Sequence, residues 1–185
     1  MKKSFLIIGE NSFIGSNLFE FLKNKKLNVY ISSSNNFLKN YKKKYFNINF
    51  IINCSSNKEF VKKKYHVRND NDLIIAKKII NSDTKLIMLS SRKVYNSKFN
   101  IKEFDKEKPN CNYSRNKLLS ENSVRNILHN RVLILRISNI IGLPNKKKRK
   151  LHNSFSDIFF EMVKNGYIYN NKKIYKDFIS IKKFC

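Results

Sequence analysis

Near its start the chain runs Phe5-Leu-Ile-Ile8 without interruption, and this run ends at a glycine. Four consecutive apolar residues suit a parallel strand buried on both faces. From Ile14 the apolar residues recur as Ile14, Leu18, Phe21 and Leu22, which is helical spacing. Strand, glycine turn and helix therefore follow one another closely, and few folds accept that order other than a layered α/β sheet. A helix that opens at such a turn aims unpaired N–H groups and the positive end of its dipole at one point, a seat for a pyrophosphate. Gly9 would permit the sharp turn and Gly15 the close packing of helix on strand. The spacing Gly9-x5-Gly15 is one residue longer than G-x-G-x-x-G, and an ordinary buried strand and helix joined by a glycine turn would read the same way.

The rest of the chain repeats the alternation. Leu27–Ile31 reads as a second strand and Phe46–Asn53 as a third, the latter ending in Cys54-Ser-Ser56. Between them there is too little chain for a complete crossover with a further strand, so a trimmed sheet is expected, open on one side. Val67–Ile80 has the pattern of an amphipathic helix, Leu86–Leu89 of a strand that delivers Ser90-Ser-Arg-Lys-Val-Tyr95, and Arg131–Ile141 of a further strand. The expected fold is an α/β, Rossmann-type doubly wound sheet with helices on both faces and four or five parallel strands. Tyr113 and Lys117 are four apart and share one face of a helix whose buried stripe is Leu118, Leu119, Val124, Ile127 and Leu128. A free phenol ionises near pH 10, and a fixed ammonium beside a phenol favours the phenolate, so this pair suits a general base.

These segments, in this order, resemble the extended short-chain dehydrogenases/reductases, the NAD(P)-dependent epimerases, dehydratases and reductases of nucleotide-sugars. The turn resembles that family's G-x-x-G-F-I-G, with Ser12 in place of the middle glycine. Residues 90–95 resemble S-S-x-x-V-Y-G, residues 113–117 are Y-x-x-x-K, and residues 132–144 resemble V-x-x-L-R-x-x-N-v-y-G-P. The resemblance implies a cofactor, NAD or NADP, held by Gly9, Asn11, Ser12, Phe13, Ile14, Gly15, Ser33, Cys54, Ser55, Tyr113 and Lys117. It implies Ser91, Tyr113 and Lys117 as the catalytic set, with Ser91 and Asn139 towards a nucleotide-sugar substrate. Ser12 is expected to crowd the backbone that approaches the phosphates. Ser33 stands where an acidic residue would hold the adenosine ribose; with Lys39 and Lys42–Lys44 following, that leans towards NADP. A plain polar turn is the alternative. Arg92 and Lys93 replace the Asp-Glu pair of the dehydratases, which leaves epimerase or reductase, with a role in surface-polysaccharide biosynthesis implied. Arg136 is expected either near the substrate or in a structural ion pair.

Residues 1–145 are thus expected to form the NAD(P)-binding Rossmann domain and residues 146–185 the remnant of a substrate-binding lobe. Relatives of the family continue further, so weak dinucleotide binding, little turnover and self-association, a homodimer included, are the expectations. With 41% hydrophobic residues, 15 Phe and 9 Tyr the chain is globular in composition. No apolar run reaches the ~20 residues of a membrane span, and Met1-Lys-Lys-Ser4 leads into no cleavage pattern of a signal peptide. Cys54, Cys111 and Cys185 fit reduced thiols in a cytoplasmic protein rather than a disulfide or metal framework, and His66, His129 and His152 have no ligand spacing. The formal charge of +26 admits an acidic partner. Lysine is nevertheless spread over the whole chain, and no recognised motif supports nucleic acid. The run Lys146–Lys150 reads as a solvated loop, with a phosphate or nucleic-acid site as the lesser reading.

Overall fold

The computed structural model describes residues 3–96, 100–142, 162–166 and 177–185. Its centre is a five-stranded parallel sheet made of β1 (Ser4–Ile8), β2 (Asn28–Ser32), β3 (Phe50–Asn53), β4 (Lys85–Ser91) and β5 (Val132–Ile137), in the order β2-β1-β3-β4-β5. From β1 the chain moves first to one side and then to the other, so the crevice of the sheet opens beside the carboxyl end of β1. Burial follows strand position. Leu6, Ile7 and Ile8 of β1 are wholly buried, whereas Tyr30 of the edge strand β2 is half exposed. No strand lies outside β2 among the described residues, in keeping with the short interval after Ser34.

Helices cover both faces. α1 (Phe13–Asn24) packs one face through Leu18 against Ile7 and Ile52. On the other face α2 (Ser34–Asn40), α4 (Asn71–Lys78) and α5 (Asn112–Leu128) meet the sheet in one cluster that includes Phe37, Ile75, Val124, Leu128, Ile51 and Met88. α3 (Lys58–Lys62) packs on α5. The third strand begins only at Phe50, and the preceding Tyr41–Tyr45 forms a π-turn that buries Tyr41 and Tyr45 against α2. The helix expected over 67–80 is split. Val67–Asn69 is a 3₁₀ turn, and α4 starts only after Asp70, whose carboxylate accepts from the Leu73 N–H and caps it.

The expected strand 131–141 also divides. β5 pairs with β4 as far as Ile137, and then β6 (Asn139–Ile141) pairs in parallel with β7 (Phe178–Ser180) in a separate two-stranded sheet. A last short helix, α6 (Ile181–Phe184), seats Ile181 against Gly142, where a side chain at Gly142 would have no room. The helix expected over Phe155–Val163 falls almost wholly outside the described residues, and so do the run Lys146–Lys150, Pro144 and Lys176. Among the described residues no helix is long and apolar enough to cross a membrane.

Candidate active site

Gly9 follows β1 with φ +119°, a backbone conformation that side chains resist. A Cβ there would lie 2.9 Å from the Cys54 carbonyl carbon and 3.0 Å from the Ser55 nitrogen. The turn and the end of β3 are therefore in direct backbone contact. The Gly9 N–H donates to the Ser32 carbonyl at 2.8 Å, which ties the turn to β2 as well. A Cβ on Gly15 would overlap the Gly9 carbonyl oxygen at 2.4 Å, so the second glycine lets α1 start against the turn.

Ser12 does not point outward. Its hydroxyl turns into the first turn of α1 and accepts from the Gly15 N–H at 2.9 Å, as an N-cap. The Gly15 N–H is thereby satisfied by Ser12 itself. Phe13 and Ile14 stand at the two first positions of the helix, where backbone N–H groups have no intrahelical acceptor. Gly9, Phe13 and Ile14 form a cradle at the carboxyl end of β1. Ser33 closes β2 and caps α2 through the Asn36 N–H at 3.2 Å. Next to it the Ser34 hydroxyl donates to the Ser55 hydroxyl at 2.8 Å, so the ends of β2 and β3 are bridged above β1.

The proton-transfer candidates gather at the end of β4. Ser91 is nearly buried and its hydroxyl accepts from the Lys93 N–H at 3.2 Å, capping the 3₁₀ turn Arg92–Val94. The Lys93 ammonium lies 5.9 Å from the centre of the Tyr113 ring, which brings the first turn of α5 over that turn. One helical turn on, the Lys117 ammonium donates to the Leu89 carbonyl at 2.8 Å, two residues before Ser91. Its charge is met by Asp72 at 3.1 Å, in an ion pair whose two side chains are almost wholly buried. Burial works against the charged form of Lys117, but the fields of Asp72, Tyr113 and Asp70 outweigh it and hold the ammonium above its ordinary pKa.

Ser90, Ser91's neighbour, belongs to a different network. Its hydroxyl donates to Glu121, a wholly buried carboxylate of α5 that also receives Arg136 through Nε and Nη2 at 3.0 and 2.7 Å. Arg136 further reaches the Tyr95 hydroxyl at 2.5 Å and Glu107 at 2.8 Å. Of the two roles open to Arg136, the structural ion pair is the one present. Asn139 lies outside the main sheet on β6 and donates to the Asp177 carbonyl at 3.0 Å, while Arg92 pairs with the Asp177 carboxylate at 3.3 Å.

Sequence reasoning missed Asp72, Asp70, Asn53 and Glu121. A signal was available: with only 13 acidic against 39 basic residues, a carboxylate inside an apolar helical stripe marks a buried partner. Among the described residues there is no group of three or more His, Cys, Asp or Glu that could hold a metal ion.

A family model described as the RmlD substrate binding domain matches residues 2–164. Among solved structures, a UDP-N-acetylglucosamine 4-epimerase from Methanobrevibacter ruminantium M1, in complex with UDP-N-acetylmuramic acid, superposes with a TM-score of 0.77. It is 19% identical, and the match covers 98% of this chain and 70% of that one. A dTDP-4-dehydrorhamnose reductase from Yersinia enterocolitica gives 0.68 at 23% identity, over 89% of this chain and 61% of that one. The corresponding reductase from Clostridium acetobutylicum ATCC 824 gives 0.70 at 21% identity, over 88% and 60%. The chain thus spans about three fifths of the length of both reductases. At these identities the likeness is one of fold. No curated protein matches the chain in sequence.

Proposed function

The chain belongs to the family described as the RmlD substrate binding domain, of the extended short-chain dehydrogenase/reductase type, and from that premise we propose that it is an NAD(P)-dependent epimerase or reductase of a nucleotide-linked sugar. One observation carries the reading. Tyr113 lies in the first turn of α5, and one turn later the Lys117 ammonium is fixed on the Leu89 carbonyl of β4, two residues before Ser91 and across the sheet end from the Gly9 turn. The residues of the cradle fit a dinucleotide: Gly9, Phe13 and Ile14 would face its pyrophosphate, and Ser33, Cys54 and Ser55 would flank its adenosine side. When bound, the nicotinamide would supply the acceptor and donor of hydride for one sugar carbon.

The chain's own residues would supply the rest. Tyr113 would take the hydroxyl proton of that carbon on oxidation and return it on reduction. Ser91 would hydrogen-bond the same oxygen and so fix the distance over which the proton moves. Lys117 would stabilise the anionic form of the phenol and reach the nicotinamide ribose. Ser33 in place of a carboxylate, followed by the exposed Lys39 and Lys42–Lys44, supports NADP over NAD, since nothing there repels a 2′-phosphate. The neighbours' nucleotide-sugar names support the substrate class, a place in surface-polysaccharide synthesis is part of the same proposal, and three free cysteines support a cytoplasmic site of action. The domain division at residue 145 is part of the same proposal.

The test is nicotinamide absorbance with a panel of nucleotide-sugars, comparing wild type with Tyr113→Phe. Losing the base is expected to cost ~10²–10⁴ in rate. Activity untouched by that substitution would remove Tyr113 from the mechanism.

A further inference from the structure

Lys117 does not stand alone at the end of β4. It is 6% exposed and Asp72 is 3% exposed, and the two are 3.1 Å apart. Of the three donors of the ammonium, one goes to Asp72 and one to the Leu89 carbonyl; the Phe60 ring lies 5.6 Å away on another side. The other oxygen of Asp72 accepts from the Asn53 amide at 2.6 Å. Asn53 in turn accepts from the backbone N–H and the hydroxyl of Ser55 at 3.0 and 2.7 Å, and Ser55 abuts Gly9. One carboxylate therefore joins the phosphate turn to the helix that carries Tyr113.

Among the described residues the two other buried acids are engaged elsewhere. Asp70 is already engaged by the Tyr65 hydroxyl, the Ser120 hydroxyl and the Leu73 N–H. Glu121, one turn further along α5, is committed to Arg136. The remaining charged and titratable groups facing the pair are Tyr113 one turn earlier, Lys93 over its ring, and Cys54 at the end of β3, which feels the field of Asp72. An ammonium buried without a partner gives up its proton rather than stay charged. We propose that Asp72 is the positioning residue of the proton-transfer pair: it anchors the Lys117 ammonium against β4 and keeps it charged within the protein interior. The assignment rests on the reading of Tyr113 and Lys117 as the reacting pair, and its direct test does not.

The sign is fixed by the geometry. Burial lowers the affinity of Lys117 for its proton and Asp72 is the principal group that restores it. With a neutral residue at 72 burial is opposed only by the weaker fields of Tyr113 and Asp70, and Lys117 should discharge at a lower pH than in the wild type.

The experiment is a pH titration of lysine labelled with ¹³C at Cε, with the Lys117 resonance identified by its loss in Lys117→Met. In the wild type Lys117 is expected to stay charged beyond the pH at which the exposed lysines titrate. In Asp72→Asn it should titrate about two units or more below the wild type, and Asp72→Glu should recover most of that shift. An unshifted Lys117 in Asp72→Asn overturns the proposal, and so does a wild-type Lys117 that titrates below the exposed lysines. Should circular dichroism show Asp72→Asn unfolded, Asp72→Ser, which still offers an acceptor to Asn53, is read in the same way. If neither folds, the wild-type titration decides.

Activity gives a second readout. In a chain that turns over, Asp72→Asn should lose kcat progressively as pH rises through the neutral range, with a smaller change in dinucleotide affinity, and Asp72→Glu should restore the profile. No turnover together with a shifted Lys117 refutes the enzymatic reading alone. Turnover lost in Tyr113→Phe together with an unshifted Lys117 refutes the Asp72 assignment alone.

Discussion

Replacing Glu121 by Gln tests whether the floor of the site is held by one buried ion pair. The Glu121 side chain is wholly buried, and its two oxygens receive the Ser90 hydroxyl and the Nε and Nη2 groups of Arg136. A glutamine would set an amide donor against the guanidinium donors and leave the Arg136 charge with Glu107 alone, at a more exposed position. Removing one partner of a buried pair costs about 3–5 kcal/mol. Against a total stability of about 5–15 kcal/mol that is a large share. In a chain of this size each kcal/mol moves Tm by about 2–4 °C, so a fall of about 6–20 °C is expected. The assay is thermal and urea unfolding followed by circular dichroism. The double variant Glu121→Leu with Arg136→Met should be less damaging than Glu121→Gln, because it leaves no orphaned charge. A Glu121→Gln protein within ~1 kcal/mol of the wild type, typical of surface pairs, would refute the reasoning.

Gly9→Ala would force a side chain into φ +119° and against the Cys54 carbonyl carbon at 2.9 Å. A loss of about 1–3 kcal/mol or more is expected from strain, visible as a lower urea midpoint together with weakened dinucleotide binding; an unchanged midpoint would contradict the turn described. Lys117 in the folded protein holds its proton above its ordinary value of 10.5. Its stabilisation is therefore complete below that pH and is lost as pH rises through the folded value. Urea midpoints measured from pH 8 upward should show this component surviving to beyond that point, and Asp72→Asn should move its loss to lower pH. Among the thiols, the hydrogen bond with Ser114 and then the field of Lys93 lower Cys111, while burial pushes Cys54 up to about 12. Iodoacetamide at pH 8 should label the exposed Cys111 first and Cys54 last, with rates differing by ~100-fold or more, as followed by mass spectrometry; equal rates would show the Cys54 environment to be wrong.

The parts of the fold carried by local pattern were legible in the chain. Phe5–Ile8, Gly9, Gly15 and the Ile14–Leu22 stripe dictate strand, turn and helix within a few residues, and the short interval after Ser34 foretold a sheet ending at β2. What depended on distant partners was not. The split of 67–80 turns on Asp70 acting as a cap, and the division of 131–141 turns on Phe178–Ser180 pairing with Asn139–Ile141 from across the chain. The candidate site divides the same way. The spacing of Tyr113 and Lys117 was visible because both lie on one helix. Asp72, 45 residues from Lys117 in sequence, became its partner only through the packing of α4 on α5. The capping role of Ser12 was not legible, because a hydroxyl beside a helix start can turn inward onto the Gly15 N–H, an option that a glycine-replacement argument does not weigh.

The central claim is that the Gly9 turn and the Tyr113–Lys117 face form one dinucleotide site. The most direct measurement is calorimetric titration of the purified chain with NADPH and with NADH, repeated on Gly9→Ala and Lys117→Met. Saturable binding of at least one nucleotide by the wild type is predicted, tighter for NADPH, with affinity reduced about tenfold or more in each variant, a change of ~1.4 kcal/mol. Binding that persists unchanged in both variants, or no saturable binding of either nucleotide up to ~1 mM, would contradict the account.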